Sequence, residues 1–367
     1  MAKILHFGAI RSINPGVKKQ LDYESLSATK VNASHTIVYF SHSEPDREYM
    51  KKPAMPSFWL KLLIFKKLKN YIHLRISAYS WLLKNQERFD IILIRYPLGD
   101  FIFPIFSFYI KPFYTIHHTK EIEEIKSNPS TVSKLQLLIE KIQFKLLQKK
   151  ILGFVGVTNE IAEYQLDRAK FPKNIMLYPN GILTSHVEIR DYRDDKIKLC
   201  CICNKDVPWH GLHKIYNEIE ESGRQDFEIY FVGNLSPASE NLETDNRVHF
   251  TGHLNQDKLE DLLSKIDLCV GPFGLDAKGL NEACPLKTRE SFQQGIPVMA
   301  DYRDPCFNSS FPYFLKSKFD IDAAIAFAIQ NRKVGKKSIA ESSQQYISKE
   351  VLYKNLLESL DNSEKRV

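Results

Sequence analysis

The sequence predicts an α/β protein made of two consecutive doubly wound domains with parallel sheets. Three observations predict it. Short runs rich in Ile, Val, Phe and Tyr alternate with polar, helix-forming stretches along almost the whole chain, the pattern of βαβ units. The alternation lapses over a polar, charged stretch at 183–196 and then restarts. The 367 residues are enough for two separate cores.

Taken in order, the first half predicts strands at 3–7, 35–40, 91–96, 113–117 and 153–157. A further strand at 175–178 is closed by a Pro179-Asn180-Gly181 turn. Beyond the linker at 183–196, strands are predicted at 197–203, 228–232, 248–250, 268–271 and 296–300. Helices at 255–265 and 286–294 fall between them, and 349–360 reads as a terminal helix. The expected domains are 1–185 and 186–345, with 346–367 as a C-terminal helix packing back on the first domain. Such sheets bind ligands outside the carboxyl ends of their strands, so the cleft between the domains is the expected site.

Composition narrows the class. The chain is 43% apolar and 26% charged, which excludes a disordered, collagen-like or coiled-coil protein. No window holds the roughly 18 uncharged apolar residues that a membrane span needs. Residues 1–8 are too short and too polar for a secretory signal, so the expected location is the cytoplasm. The six cysteines lack zinc-knuckle spacing and read as reduced core thiols.

The net charge of +7 is unevenly placed. Between 58 and 84, Lys61, Lys66, Lys67, Lys69, Arg75 and Lys84 occur with no acid and with interleaved aromatic and aliphatic residues. That segment suits an anionic membrane surface, here the inner face of the plasma membrane. The similar stretch at 134–150 reads instead as a solvated helix packed on its own domain. No nucleic-acid-binding signature accompanies either segment.

Chemistry concentrates at 279–298. Pro285 suits the first position of a helix and Gly295 the residue just past its end. The free N–H groups at its start, from Leu286 through Lys287 to Thr288, form with the helix dipole an anion site suited to a diphosphate. Glu290, one turn in, could accept hydrogen bonds from a ribose diol. Glu282 would reach the same site from the preceding loop.

Two glutamates separated by seven residues, a helix, then Gly295-Ile296-Pro297-Val298 resemble the donor-site signature of GT-B glycosyltransferases of the GT4 type. The resemblance implies two Rossmann-like domains facing a cleft. It implies that Glu290 holds the nucleotide ribose, that Glu282 lies near the transferred sugar, and that the amides after Pro285 bind the pyrophosphate. The family often has Gly-Phe-Gly after the first glutamate, where this chain has Ala283-Cys284-Pro285, a form similar to that of polysaccharide-building transferases. Tyr178-Pro179-Asn180-Gly181-Ile182 resembles the family's turn into the interdomain linker. Lys205, His210 and Gly211 stand where relatives carry a phosphate-binding loop. Lys205 is the leading phosphate cation and Lys287 the second, while His210 is equally suited to a structural role at a helix start. Gly252 falls in a strand–Gly segment similar to one near the nucleotide base, and Gly16 in a first glycine loop on the acceptor side. A histidine at the end of the 113–117 strand faces the donor sugar in the family. Alignment favours His118, with His117 as the alternative.

The activity so implied is transfer of a hexose or N-acetylhexosamine from a nucleotide sugar, expected to be a UDP-sugar, to a glycan or lipid-linked acceptor. The reaction is expected to retain configuration, to serve bacterial surface polysaccharide assembly, and to need no metal or other cofactor. The alternatives are a nucleotide-sugar epimerase of the same fold and a non-catalytic partner subunit.

Overall fold

Strand–helix alternation appears in the computed structural model, which describes residues 2–43, 45–54, 66–127, 130–184, 189–192 and 194–364. The chain divides into two units, Met1–Tyr178 with Leu352–Val367, and Pro179–Val351. The division falls just before the linker expected at 183–196. Within that stretch, 185–188 and 193 lie outside the described residues, and 183–184, 189–192 and 194–196 form no helix or regular strand.

In the first unit the elements are β1 (Ile4–Ala9), α1 (Pro15–Lys30), β2 (His35–Phe40), β3 (Met50–Lys51), α2 (Lys66–Asn85), β4 (Ile91–Arg95), α3 (Phe103–Ser107), β5 (Phe113–His117), α4 (Glu121–Ser127), α5 (Thr131–Leu147), β6 (Ile151–Gly156), α6 (Asn159–Arg168) and β7 (Asn174–Leu177). The strands form one parallel sheet in the order β3-β2-β1-β4-β5-β6-β7. Strand β1 is buried along its whole length because both faces are covered, which explains why its one polar side chain, His6, is bonded to Glu24. One face packs Leu5 and Phe7 against Leu74, Ala78 and Leu82 of α2 and Phe144 and Leu147 of α5.

The second unit contains β8 (Ile197–Ile202), α7 (Leu212–Glu221), β9 (Phe227–Val232), α8 (Glu240–Thr244), β10 (Val248–Gly252), α9 (Gln256–Lys265), β11 (Leu268–Val270), α10 (Leu286–Gln293), β12 (Val298–Ala300), β13 (Phe314–Lys316), α11 (Ile321–Arg332) and α12 (Lys336–Ile347). Its sheet is also parallel, in the order β10-β9-β8-β11-β12-β13. Strands β3 and β13 were not expected from the sequence. Each is three residues or fewer and only partly buried, so no apolar run marks it. The last helix, α13 (Lys349–Glu364), buries Tyr353, Leu356 and Leu360 among Ile4, Leu93 and Ile116 of the first unit's sheet.

The basic segment expected to meet a membrane falls partly outside the described residues, at 58–65. Its remainder is α2, where Arg75 is buried and its Nε lies 2.7 Å from Asp100 Oδ2. No helix among the described residues is long and apolar enough to cross a membrane.

Candidate functional site

In the second unit the strand order reverses between β8 and β11, the switch point at which open α/β sheets bind ligands. The loop after β8 passes through a short turn at Pro208–His210 to Gly211, which opens α7 with φ of 65°. The loop after β11 runs on to α10. The two loops touch closely: the Phe273 N–H donates to His210 O at 3.0 Å, and a Cβ on Gly211 would lie 2.6 Å from the Phe273 carbonyl carbon. Only glycine satisfies both the left-handed backbone and this approach.

Helix α10 starts one residue later than the sequence suggested. Pro285 is its N-cap, with φ −67° and ψ 142°, and no side chain bonds the N–H groups that follow. Those of Leu286, Lys287 and Thr288 have no partner within the helix, because each would need a carbonyl four residues earlier in the turn. Lys287 Nζ donates to Ile202 O at 2.7 Å, which ties the helix start to the end of β8. Burial holds its pKa below the ordinary lysine value, while the nearby Cys203, Cys201 and Glu290 oppose that shift. The Cys203 thiol is pulled down to about 5, first by a hydrogen bond from Cys201 and against burial, with His210 and Lys287 adding to the effect. His210 Nδ1–H donates to Lys205 O at 2.8 Å, and the Lys205 side chain is exposed. The start of α10 thus brings N–H groups without an intrahelical partner beside the Lys287 ammonium.

Not every expected residue offers its side chain there. The Thr288 hydroxyl is buried against Tyr302 Oη at 2.7 Å, which leaves its amide as the available group. Glu290 is half-buried, one turn after Lys287. Glu282 is 2% exposed and pairs with Arg303, whose Nε donates to Glu282 Oε1 at 2.7 Å. The loop is pinned again where Arg303 N–H donates to Asn281 O at 2.8 Å. Gly252 ends β10 with φ of 68°, and its carbonyl accepts from Gly233 N–H at 2.9 Å. It lies two strands from β8 in the sheet.

Arg289, not expected to matter, is fully buried beside Glu290. Its guanidinium makes a two-point pair with Asp304, with Nη2 to Oδ1 at 2.7 Å, and Nε donates to Asn180 O at 3.0 Å. Asn180 Nδ2 in turn donates to Cys284 O at 3.1 Å. Thus the Pro179-Asn180-Gly181 turn fastens the loop that leads into α10. The available signal was helical phase. Arg289 lies three residues before Phe292, on the packed face, and a buried arginine requires an acid partner.

In the first unit, the histidine pair separates. His117 is buried, its Nδ1–H donating to Glu121 Oε1 at 2.6 Å and its Nε2 bonded to Thr115 Oγ1 at 2.9 Å. His118 is exposed at the carboxyl end of β5, and Arg95 Nη1 donates to its Nε2 at 3.0 Å, which places the imidazole proton on Nδ1. Gly16 sits in the first turn of α1, whose start is capped by the Asn14 side chain. Among the described residues, the histidine and acid side chains close enough to share a metal ion are His6, Glu24 and His35, none of which the sequence singled out. They bond one another instead, at 2.7 and 2.9 Å.

Two parallel doubly wound units also occur, over nearly full length, in solved glycosyltransferases. The chain resembles the lipopolysaccharide outer core galactosyltransferase WaaB, with TM-score 0.61 over 98% of this chain and 99% of that one, at 10% identity. The chain has a GT-B fold. HepE (Alr3699) of Anabaena, solved in complex with UDP, matches with TM-score 0.61 at 14% identity over 98% of this chain and all of that one. A structure described as a putative UDP-N-acetylglucosamine 2-epimerase from Listeria monocytogenes matches with TM-score 0.53 at 13% identity, over all of this chain and 98% of that one. No family model matches the sequence, and no curated protein matches it.

Proposed function

We propose that this chain is a GT4-type, retaining glycosyltransferase that moves a hexose or N-acetylhexosamine from a UDP-sugar to a glycan or lipid-linked acceptor in bacterial surface polysaccharide assembly. The observation that carries the reading is the uncapped start of α10 beside Lys287 at the β8/β11 switch point. In transfer, the bond between the sugar C1 and the diphosphate breaks and a bond from C1 to the acceptor oxygen forms. The leaving diphosphate takes the electron pair of the broken bond, so negative charge collects on it, and its oxygen accepts the proton that the acceptor hydroxyl loses. The amides of Leu286, Lys287 and Thr288, with the Lys287 and Lys205 cations, oppose that charge without a metal. Gly211 lets the β8 loop approach, Glu290 holds the ribose and Glu282 serves the sugar. His118 supports the transfer step. The enzyme works in the cytoplasm against an anionic membrane surface.

The test is a panel of nucleotide sugars scored for thermal stabilisation and for nucleotide release with a membrane extract. Release that requires the extract is expected, and His118→Ala should lower it while leaving nucleotide affinity intact. The epimerase among the structural neighbours motivates a second reading. Epimerised or hydrolysed donor without any acceptor would favour that reading over transfer.

A further inference from the structure

Helix α5 carries a second apolar face. Ser133, Glu140, Gln143, Phe144 and Leu147 turn inward. On the outside, Val132, Leu135, Leu138, Ile142 and Leu146 recur at three- and four-residue spacing and remain 44–63% exposed. That spacing draws one continuous stripe along the helix. Lys134, Lys141 and Lys145 each precede a stripe residue by one position, about 100° around the helix, and all are exposed. A row of cations therefore borders the apolar stripe along its length. The one acid of the helix, Glu140, is buried on the other side, where it accepts from Tyr96 Oη, Gly99 N–H and Arg168 at 2.7–3.0 Å.

The neighbouring segment extends this face. Ile105, Phe108 and Tyr109, on and just after α3, are 61–74% exposed. Their segment is tied to α5 because Gln143 Nε2 donates to Pro97 O at 2.6 Å and Lys150 Nζ to Ile110 O at 2.9 Å. No acid occurs between Asp100, which is buried, and Glu121.

We infer that α5 and the α3 segment form a docking face for an anionic lipid bilayer, with the stripe of α5 lying in the interfacial plane. The inference deepens the membrane partner of the proposed function. It stands on this surface alone and not on the transfer reaction. Contiguous exposed apolar area of this kind marks an interaction surface. Charge decides the occupant. A second copy of the chain would bring one lysine row toward another without acids to pair them, whereas anionic headgroups neutralise the row. The lysine stems can lie along the apolar stripe while their ammonium groups reach the phosphates. Phe108 and Tyr109 have the aromatic character favoured at that boundary.

The test is cosedimentation of the full chain with phosphatidylcholine vesicles, with and without about one-third phosphatidylglycerol. Binding is expected only with the anionic lipid. The triple variant Lys134→Gln, Lys141→Gln, Lys145→Gln should lower partitioning by roughly 100-fold. Leu135→Gln with Leu138→Gln and Ile142→Gln should also release the protein. All six positions are exposed, so melting temperatures should match the parent. The tryptophan emission of Leu138→Trp should shift to the blue on adding anionic vesicles. The inference fails if both triples bind like the parent, or if only Lys66→Gln with Lys67→Gln and Lys69→Gln releases the chain. It also fails if the chain ignores vesicles and forms a dimer that Leu138→Asp dissociates. A chain that binds UDP but not vesicles sinks this inference and the membrane partner with it, and leaves the transfer reaction standing. One that binds vesicles but no nucleotide sinks the transfer reading alone.

Discussion

Each unit has its own parallel sheet, and several of its helices start with a side-chain cap, but the two at the switch point of the second unit do not. In the first, Asn14, Ser130 and Thr158 accept hydrogen bonds from the opening turns of α1, α5 and α6. In the second, Ser239, Asn255 and Asp320 do the same for α8, α9 and α11. The two helices at the β8/β11 switch point, α7 and α10, begin at Gly211 and Pro285 and have no side-chain cap. A capped start satisfies its own N–H groups. An uncapped start in a ligand-binding position leaves them for an anion. Helices α3 and α12 also start without a side-chain cap, at Ile102 and Gly335, so the open start suits an anion only where the strand order reverses, and that combination can be attacked by mutation.

The largest expected effect lies next to the site and concerns stability only. Arg289→Ala leaves Asp304 charged and buried without its partner, which should cost about 3–5 kcal/mol. Chemical denaturation of the variant reads this directly. A loss below about 1 kcal/mol would mean that α10 is not anchored by that pair.

Glu290→Ala comes next. A charge-assisted hydrogen bond contributes roughly 1.5–3 kcal/mol, so UDP affinity should fall by one to two orders of magnitude in a folded protein. Unmoved affinity in calorimetry would remove α10 as the donor site. Glu282→Ala sharpens the point. It should spare UDP affinity and lower turnover with the whole donor, as expected of contacts made mainly in the transition state. Arg303→Ala is its control, because Arg303 fixes the same loop. Equal turnover losses in the two variants would make Glu282 a loop anchor.

The smallest effects test the caps themselves. Thr158→Ala removes the cap of α6 and should cost about 1 kcal/mol of stability without altering UDP binding. Pro285→Asp does the reverse for α10. Its carboxylate should satisfy the open N–H groups, adding stability of similar size while weakening UDP binding. If both substitutions change stability alone, the capped and uncapped starts do not differ in function.

A second contrast lies between α2 and α5. The sequence pointed to the first as the membrane segment and to the second as a solvated helix. In the structure the described part of α2 buries Leu74, Ala78, Tyr79 and Leu82, and α5 exposes a whole apolar stripe. Both helices carry more apolar residues than one packed face requires. Periodicity shows that apolar faces exist, but it does not say which of them meets the sheet.

Much of the fold was legible. Parallel strands covered on both faces, such as β1 and β8, produce mostly apolar runs, broken only by His6 and Lys198, that turns and polar helices punctuate, and their boundaries were read within a few residues. The α10 helix was legible because proline and glycine bracket it. Strand β13 was not: β11 and β12 are as short but buried at every residue and so apolar, whereas the part-exposed Phe314–Lys316 carries no such run and owes its regularity to pairing with β12. In the first unit, the histidine doublet at 117–118 established that neighbouring side chains on a strand point to opposite sides. Only packing decided that His117 is enclosed by Glu121 and Thr115 while His118 stays in solvent.

The sequence by itself determined local matters: where most strands and helices run, and where proline and glycine bracket a helix with free N–H groups at its start. Each depends on residues a few positions apart. Tertiary structure alone decided the Arg289–Asp304 pair, the grip of Asn180 on the α10 loop, the Arg303 partner of Glu282 and the exposed face of α5. Those outcomes depend on which distant segment occupies the other side of a residue, and no local spacing encodes that.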